Sequence, residues 1–233
     1  MLTMKRKKHH KKKLVFTIME KFKNSKLDIG IDEAGRGPFC GPVYASSVIW
    51  NDSPDPIELI TDSKKLSKKK RRQAFDWINE NILVKGIGFS SEKEIDDLGI
   101  FNATKLAMER SVNNMVSNNV NFFRKMNKSS FTLTIDGIGW DKKTFTFDKN
   151  IKIDKIEPVI KGDAKFCNIA AASILAKEYH DEAIDEFCIN NKEVAERYDL
   201  LNNKGYGTAK HREGIKKYGL SDYHRKSYKI NYT

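Results

Sequence analysis

The sequence predicts an α/β fold in which helices flank a mixed β-sheet, with a small helical extension at the C-terminus. Two observations predict the sheet: short apolar segments alternate with segments of helical periodicity, and several apolar segments end in acidic residues. The third observation is that residues 190–233 have a helical, basic pattern. A chain of 233 residues is long enough for one core, here residues 28–189, and such an appendage.

The charge balance indicates a polyanionic partner. The net charge is +12, from 43 lysines and arginines against 31 acids, and the isoelectric point is about 9.4. Such a balance is typical of proteins that bind nucleic acid and, less often, an anionic membrane surface. The hydrophobic content of 39% suits a soluble globular protein. No apolar run approaches the roughly 18 residues that would suggest a membrane span.

The N-terminal extension, residues 1–27, carries much of this charge. Seven lysines and arginines and no acid fall within residues 1–13, and without them the net charge is +5. Like charges at this density predict disorder at the start of the chain. The segment could bind nucleic acid non-specifically or act as a nuclear localisation signal. It lacks the apolar region of a secretory signal. Residues 14–22 form a short apolar stretch that could be helical.

Three cysteines, Cys40, Cys167 and Cys188, predict an intracellular protein. Their number is odd and no two have CxxC spacing. We therefore interpret them as reduced, packed thiols without a chemical role. We expect a cytoplasmic location, with a nuclear one left open.

Residues 28–50 are predicted to form two strands joined by a turn, with Asp32 and Glu33 where the first strand ends. Two neighbouring carboxylates repel each other, and a divalent cation removes that repulsion. The following Gly35–Gly37 segment has a backbone whose N–H groups can come close to an anion. Arg36, at its centre, carries a guanidinium suited to phosphate. An acidic turn on a surface hairpin is the alternative.

Basic and hydroxyl side chains precede the first predicted helix. Ser67 is a good N-cap for a helix over residues 68–81. Ser63 and Lys64 lie just before it, where a hydroxyl and an ammonium group can hold a phosphate. A solvated basic loop explains this segment equally well.

Two later strands also end in acids. A strand over residues 131–135 leads into Asp136, and a strand over residues 157–160 leads into Lys161 and Asp163. For Asp136 the alternative is an ordinary Asp-Gly turn.

The remaining elements complete the main domain. We expect a strand over residues 84–89, a helix capped by Ser90 or Ser91, a hairpin within residues 138–153 and a long helix over about residues 169–188. Small residues in the long helix allow close packing on the sheet. Lys177 can pair with Asp181, which we interpret as a surface acid of that helix, with a metal ligand as the alternative.

The C-terminal extension combines basic residues with one prominent aromatic side chain. Tyr206 lies in a short glycine-rich loop, and a basic helix containing His211 follows. Aromatic rings interleaved with basic residues are typical of nucleic-acid binding. A basic surface with a tyrosine packed in the core is the alternative.

Four acids predict a metal site. If Asp32, Glu33, Asp136 and Asp163 follow the ends of three strands, an open sheet gathers them at one edge. Carboxylates without histidine favour Mg²⁺ or Mn²⁺. We find no serine or cysteine nucleophile with a paired base. Hydrolysis of a phosphodiester suits such a site, with one ion generating the attacking hydroxide and another stabilising the leaving oxygen.

Four stretches, in order along the chain, resemble the ribonuclease HII family, the type 2 ribonucleases H. They are GIDEAGRGPFCGPV, DSKKLS, GDAKFCNIAAASILAK, and KGYGT together with the late HRKSY. The resemblance covers about residues 28–228. The sequence departs from the family pattern at His180, where the family usually has arginine, and at Tyr228, where it often has phenylalanine.

This resemblance implies a ribonuclease H-like fold and a metal-dependent endoribonuclease that cleaves the RNA strand of RNA–DNA hybrids. It also implies incision 5′ of single ribonucleotides in duplex DNA, 5′-phosphate and 3′-hydroxyl products, and two divalent ions, Mg²⁺ or Mn²⁺, per active site. The implied catalytic residues and metal ligands are Asp32, Glu33, Asp136 and Asp163. The implied substrate contacts are Gly35, Arg36 and Gly37 at the ribose 2′-hydroxyl and Tyr206 on the neighbouring sugar. We expect further substrate contacts at Ser63, Lys64, Lys161, His211 and Arg225.

We expect the protein to act on these nucleic acids as a monomer, without a membrane partner. The residues before the first strand leave no room for the N-terminal binding domain of type 3 relatives, and the five residues after Tyr228 show no clamp-binding tail. A non-catalytic binder of hybrids and a DNA nuclease of the same superfold are the alternatives. The intact set of acids argues against the first, and the GRG and KGYGT segments argue against the second.

Overall fold

The computed structural model describes residues 27–50, 57–141 and 145–231. Within these ranges the chain forms five β-strands and seven α-helices. The strands are β1 Asp28–Ala34, β2 Val43–Ile49, β3 Lys85–Ser90, β4 Phe131–Asp136 and β5 Ile153–Val159. The helices are α1 Lys68–Asn81, α2 Glu92–Asn118, α3 Val120–Lys125, α4 Cys167–Asn190, α5 Lys192–Arg197, α6 Leu200–Asn203 and α7 Ala209–Tyr218. Single turns of 3-10 helix lie at Ser63–Lys65 and Gly162–Ala164.

The five strands form one mixed sheet in the order β3-β2-β1-β4-β5. β2 is antiparallel to β1 and β3, whereas β4 is parallel to β1 and β5. The carboxyl ends of β1, β4 and β5 therefore lie at the same edge of the sheet. This arrangement confirms the predicted mixed sheet and allows acids from three distant parts of the sequence to meet.

Helices cover both faces of the sheet. On one face, Ile29 of β1 packs in a core with Met108 of α2. On the other face, Val48 of β2 packs in a core with Ile78 of α1 and Ile174 of α4. Successive side chains of a strand point to opposite faces, so β2 contributes Val43 to the first core and Val48 to the second.

Gly30 allows α4 to lie directly on the sheet. A Cβ atom at this position would lie 2.5 Å from the carbonyl carbon of Asn168 and 2.6 Å from the amide nitrogen of Ile169. The following residues Ala170–Ala172 are fully buried. The close packing predicted from the small residues is thus confirmed, and it brings side chains of α4 close to the end of β1.

Two predicted helix caps are confirmed. Ser67 accepts a hydrogen bond from the amide of Lys70 at 3.4 Å at the start of α1. Ser91 and Glu94 form a reciprocal capping box at the start of α2. Within α2, Gly99 has a non-helical φ of 75°, so two helical segments meet at this residue.

The connection between β4 and β5 differs from the prediction. A hairpin is expected within residues 138–153, but the described residues there form no strand pair. Trp140 instead stacks on Phe101 with ring centroids 4.9 Å apart, and Phe145 stacks on Phe147 at 5.5 Å. Trp140, Phe145 and Phe147 pack on the core that contains Ile29 and Met108. Burial of aromatic surface against the core replaces the pairing of two strands.

The C-terminal helices pack on the second half of α4. Ile184 and Cys188 of α4 form a separate apolar cluster with Cys40, Tyr198 and Ile215. All three cysteines of the chain are buried thiols, as predicted. The boundary at residue 190 between main domain and extension stays a prediction.

The basic residues 1–13 and the apolar residues 14–22 lie outside the described residues. In the part of the chain that the structure describes, no helix is both long and apolar enough to cross a membrane.

Candidate active site

Three acids meet at the carboxyl edge of the sheet. Asp32 lies near the end of β1, Asp136 is the last residue of β4, and Asp163 lies in the 3-10 turn that follows β5. One carboxylate oxygen of each residue lies within 4.8 Å of one from each of the others. The parallel neighbours β1, β4 and β5 thus produce the cluster that the sequence predicts.

The electrostatics of this cluster favour a bound cation. Burial raises the pKa of Asp32 well above its usual value, and the neighbouring carboxylates of Glu33 and Asp136 raise it further. Burial, and then the Asp136 carboxylate, also raise the pKa of Asp163. Concentrated negative charge in a shielded site is relieved when a cation binds. Because all the donors are carboxylate oxygens, the residues fit Mg²⁺ or Mn²⁺.

Backbone amides hold two of the acids in place. Asp32 Oδ1 accepts a hydrogen bond from the Glu33 amide at 2.8 Å. Asp136 Oδ1 accepts one from the Gly162 amide at 2.7 Å. The second bond ties the end of β4 to the turn that carries Asp163.

Ser63 supports the cluster from the interior. Its hydroxyl is buried and lies 2.8 Å from the hydroxyl of Ser173 on α4, and Ser173 hydrogen-bonds to Asp32. The sequence predicts Ser63 as a substrate contact. Because its side chain faces α4 and is shielded from solvent, that prediction is corrected: the hydroxyl of Ser63 bonds to Ser173 in the interior.

Lys64 and Lys161 stay exposed beside the acids. Partial burial lowers the pKa of Lys64, but the nearby carboxylates of Asp32 and Asp163 outweigh this and raise it overall. Lys161 directly precedes the turn of Asp163 and has a left-handed backbone, with a φ of 55°. This conformation is uncommon for a residue other than glycine. Both ammonium groups can meet phosphates that approach the acids.

Glu33 lies beside the cluster rather than within it. Its carboxylate is 3.3 Å from the guanidinium of Arg36. Burial raises the pKa of Glu33, and the Arg36 guanidinium opposes that rise. The structure therefore brings three of the four predicted ligands together and leaves the fourth paired with the loop arginine.

A buried arginine organises the loop between β1 and β2. The side chain of Arg225 is fully buried and donates to five carbonyl oxygens of this loop, at 2.6 to 3.1 Å. These oxygens belong to Gly35, Arg36, Pro38, Gly41 and Pro42. The prediction that Arg225 contacts the substrate is corrected, because its guanidinium is enclosed by the loop that it holds.

The amide groups of this loop face away from Arg225. The C=O of one residue and the N–H of the next belong to one planar trans peptide and point in opposite directions. Arg225 holds the carbonyls of Gly35 and Arg36, so the amides of Arg36 and Gly37 point the other way. Among the residues that the structure describes, neither amide has a protein acceptor. Both are therefore available to a ligand oxygen.

Tyr206 faces this loop across a narrow gap. A Cβ atom at Gly37 would lie 3.4 Å from Cε1 of Tyr206, and the tyrosine is 40% exposed. The carbonyl of Gly205 accepts a hydrogen bond from the amide of Phe39 at 2.8 Å, which ties the two loops together. Tyr206 is thus part of a surface gap and not of the core.

His211 lies in the interior behind Tyr206. The amide of Ser221 donates to Nδ1 of His224 at 3.0 Å, so the proton of the neutral imidazole lies on its Nε2. That atom is 3.0 Å from Nε2 of His211, and Nδ1 of His211 is 3.0 Å from the carbonyl oxygen of Tyr206. The predicted substrate contact at His211 is therefore corrected: the side chain is buried and holds the backbone of Tyr206.

Cys40 completes a group of three potential metal ligands with these histidines. The facing Nε2 atoms of His211 and His224 are engaged with each other, and the remaining nitrogens bond to the backbone. Burial raises the pKa of the Cys40 thiol to about 12. We therefore interpret the group as a structural hydrogen-bonded unit.

A buried ionic cluster connects α1 and α4. Arg71 of α1 lies 2.5 Å from Glu178 and 3.2 Å from Asp181 of α4. Asp181 also lies 2.7 Å from Lys177 and 3.0 Å from Nδ1 of His180. The predicted pair of Lys177 and Asp181 is confirmed. The prediction of a surface acid is wrong, because side chains from both helices enclose Asp181.

His180 fills the space beside the loop of Gly35. A Cβ atom at Gly35 would lie 2.4 Å from Cδ2 of His180, and the φ of Gly35 is 92°, so only glycine fits. Nε2 of His180 is buried without a hydrogen-bond partner in the described part of the chain. The imidazole therefore packs against the loop without a hydrogen bond from Nε2. This is a position where the sequence departs from the family pattern.

Sequence reasoning missed several residues that shape the site. His224 and Tyr228 lie in the matched HRKSY stretch, which marks them as candidates. Ser173 lies in the run of small residues, for which the sequence predicts only close packing. No local pattern distinguishes Asp96, which anchors the C-terminal segment.

A mixed sheet that collects carboxylates at the ends of parallel strands, beside a loop with free amides, defines a metal-dependent nuclease with a ribonuclease H-like fold. The sequence profile of the ribonuclease HII family matches residues 29–231. The chain belongs to this family, and it is a metal-dependent endoribonuclease that acts on RNA–DNA hybrids.

Known relatives and solved structures agree with this assignment. Ribonuclease HII of Acetivibrio thermocellus is 42% identical over 207 residues, which cover 89% of this chain and 71% of the relative. Ribonuclease H2 from Pyrococcus horikoshii OT3 has a TM-score of 0.57 and 23% identity, covering 87% of this chain and 93% of that one. Bst-RNase HIII, solved in complex with Mn²⁺, has a TM-score of 0.60 and 17% identity, covering 83% and 63%. At these identities the two structures show a shared fold.

Proposed function

We propose that the protein, besides hydrolysing RNA–DNA hybrids, incises duplex DNA on the 5′ side of a single ribonucleotide and leaves 5′-phosphate and 3′-hydroxyl ends. The observation that carries this proposal is the gap between the Gly35–Gly37 loop and Tyr206. Two free amides on one side can donate to the oxygen of a 2′-hydroxyl, the group that separates RNA from DNA. The ring on the other side can pack on the neighbouring sugar.

We infer that Asp32, Asp136 and Asp163, with Glu33 beside them, hold two Mg²⁺ or Mn²⁺ ions. Such ions, when bound, activate the attacking water and stabilise the leaving oxygen. The chain supplies the fixed carboxylates, because the Gly162 amide and the neighbouring strands orient them before any ion arrives. The raised pKa values of Asp32 and Asp163 support this inference, because they reflect unfavourable negative charge that a bound cation relieves.

Lys64 and Lys161 support the binding of the nucleic-acid backbone next to the acids. Both are exposed, and the pKa of Lys64 is raised by Asp32 and Asp163 once the opposing effect of burial is counted. A lysine that stays charged near carboxylates offsets their repulsion of an incoming phosphate. We assign them to phosphate contacts on either side of the cleaved bond.

We further propose that the monomer is the active unit. Every group assigned to the metal site, the ribose gap and the phosphate contacts comes from this one chain. Cleavage rates should therefore rise linearly with protein concentration, and light scattering should give the mass of one chain. A rate that rises with the square of the concentration would require a dimer.

The test is cleavage of three labelled duplexes with Mg²⁺, Mn²⁺ or EDTA: one with a single ribonucleotide, one RNA–DNA hybrid and one all-DNA duplex. We expect metal-dependent incision 5′ of the ribonucleotide and cleavage of the hybrid. Cutting of the all-DNA duplex at the same rate would contradict ribose recognition. Tight binding without cutting would indicate a binding module.

Tyr206→Ala tests the ribose gap directly. Loss of the ring should slow incision at a lone ribonucleotide by at least about tenfold, or roughly 1.4 kcal/mol of barrier, because the sugar loses its packing surface. Tyr218→Ala is the matched control, since Tyr218 is a similarly exposed tyrosine at the end of α7. An unchanged rate in Tyr206→Ala would remove the tyrosine from substrate recognition.

A further inference from the structure

We propose that Tyr228 is a positioning residue for ribose recognition. Its hydroxyl directs the amide of Gly37 toward the substrate by holding the carbonyl of Arg36. This inference rests on the proposed function and deepens it, because it assigns part of the selectivity for a ribonucleotide to one O–H group outside the site.

The hydroxyl of Tyr228 makes two hydrogen bonds. It donates to the carbonyl oxygen of Arg36 at 2.6 Å and accepts from Nη1 of Arg225 at 3.0 Å. The same Nη1 donates to the Arg36 carbonyl at 3.0 Å. A tyrosine hydroxyl has one proton to donate. Because this proton is already used inside the protein, the hydroxyl acts through the loop and not by donating to the substrate.

The carbonyl of Arg36 controls the orientation of the Gly37 amide. The Arg36 C=O and the Gly37 N–H are opposite ends of one rigid trans peptide. Glycines on both sides of Arg36 leave this peptide free to rotate unless something holds it. The two donors on the carbonyl, Tyr228 and Arg225, supply that restraint. The Gly37 amide is then fixed on the side away from Arg225, in the loop that lies next to Tyr206.

Tyr228 is itself held by a second anchor. The carboxylate of Asp96 on α2 accepts from the amides of Lys226 and Ser227 at 2.9 and 2.8 Å and from the Ser227 hydroxyl at 2.7 Å. The amide of Tyr228 donates to the carbonyl of Arg225 at 3.1 Å. A continuous set of hydrogen bonds therefore runs from α2 through residues 225–228 to the loop.

The test is Tyr228→Phe, which keeps the ring and removes only the hydroxyl. Incision at a lone ribonucleotide should fall about five- to tenfold, the size expected for one hydrogen bond. Cleavage of a uniform hybrid should fall less than about twofold, because many ribonucleotides offer alternative registers of binding. The selectivity between the two substrates is therefore the readout.

Tyr198→Phe is the matched control. The Tyr198 hydroxyl also donates to a backbone carbonyl, that of Gly219, at 2.9 Å, but this bond lies at the end of α7. Tyr198→Phe should lower the free energy of unfolding without changing the ratio of the two cleavage rates. Asp96→Ala, which releases the anchor but keeps the Tyr228 hydroxyl, should change the ratio in the same direction as Tyr228→Phe and by less.

A binding measurement separates this inference from the proposed function. In the inactive Asp136→Asn background, Tyr228→Phe should reduce the preference for a duplex with one ribonucleotide over an all-DNA duplex. If the parent protein cuts and prefers the ribonucleotide but Tyr228→Phe leaves both ratios unchanged, the role of Tyr228 is overturned alone. If the parent shows neither incision nor preference, both the proposed function and this inference fail.

Discussion

Asp136 has opposite effects on the metal-free protein and on the proposed reaction. Its charge is one cause of the raised pKa values of Asp32 and Asp163, so it destabilises the folded chain when no cation is present. In the function that we propose, the same charge holds a cation. A residue that lowers the stability of the folded protein is typical of a functional site.

Asp136→Asn should therefore raise the melting temperature in EDTA, abolish the additional stabilisation by Mn²⁺, and abolish cleavage. The amide oxygen can still accept the hydrogen bond from Gly162, so the local fold should survive. Thermal melts with and without Mn²⁺, together with the cleavage assay, measure all three effects. Asp76→Asn, on the surface of α1, should change none of them. Full activity of Asp136→Asn in Mg²⁺ would show that Asp136 is not a ligand.

The loop between β1 and β2 depends on one side chain from the far end of the chain. The guanidinium of Arg225 presents five N–H groups in a fixed plane and binds five carbonyls. A lysine presents three donors from a single atom, so it cannot reproduce this pattern.

Arg225→Lys should destabilise the protein by about 2 kcal/mol or more, because buried carbonyls lose their donors. Cleavage of lone ribonucleotides and of hybrids should both fall, since the whole loop loosens. Denaturant unfolding and the two cleavage assays measure these effects. Arg197→Lys, an exposed arginine paired with Glu193, is the control and should behave like the parent. Unchanged unfolding of Arg225→Lys would contradict the role of the guanidinium in the loop.

Elements with a local signal were predicted well, and contacts between distant elements were not. Strand ends followed by acids predicted the meeting of Asp32, Asp136 and Asp163, because parallel strands end at one edge. The burial of His211, Arg225 and Ser63 could not be predicted from spacing, since a basic or polar residue in a matched motif suits either a ligand or a buried support.

A sheet flanked by helices could be predicted from the sequence, but the strand order β3-β2-β1-β4-β5 could not, because the pattern of a strand does not say which strand pairs with it. The predicted hairpin is not formed by the described residues between β4 and β5, and this difference also has a reason at the level of whole elements. Aromatic residues such as Phe145 and Phe147 fit a strand pattern and a packed irregular segment equally well. Whether such a segment forms a strand or packs irregularly depends on the apolar core surface that it can cover.

At the scale of the whole molecule, buried neutral histidines predict acid sensitivity. Burial lowers the pKa values of His180 and His211. Burial and the neighbouring His211 lower that of His224 to about 4. The unfolded chain binds protons at these sites near pH 6.5. Their contribution to stability is therefore fully present above about pH 6.5 and is lost as the pH falls toward 4.

Nuclear magnetic resonance of the imidazole nitrogens tests this prediction. His224 should keep its proton on Nε2, with an unprotonated Nδ1, from neutral pH down to about pH 4. Calorimetry in buffers of different ionisation enthalpy should show proton uptake on unfolding near pH 5.5. Titration of His224 near pH 6.5 would mean that its chain of hydrogen bonds to Tyr206 is not maintained.

The bond between Arg225 and the carbonyl of Gly35 spans 190 residues of sequence. Chain segments made early during synthesis fold before the later ones exist. The strands that carry the acids can therefore assemble while the loop between β1 and β2 still lacks the guanidinium of Arg225. The cluster of acids can therefore form before Arg225 has been synthesised, whereas the ribose recognition that we propose requires that the last segment of the chain has docked.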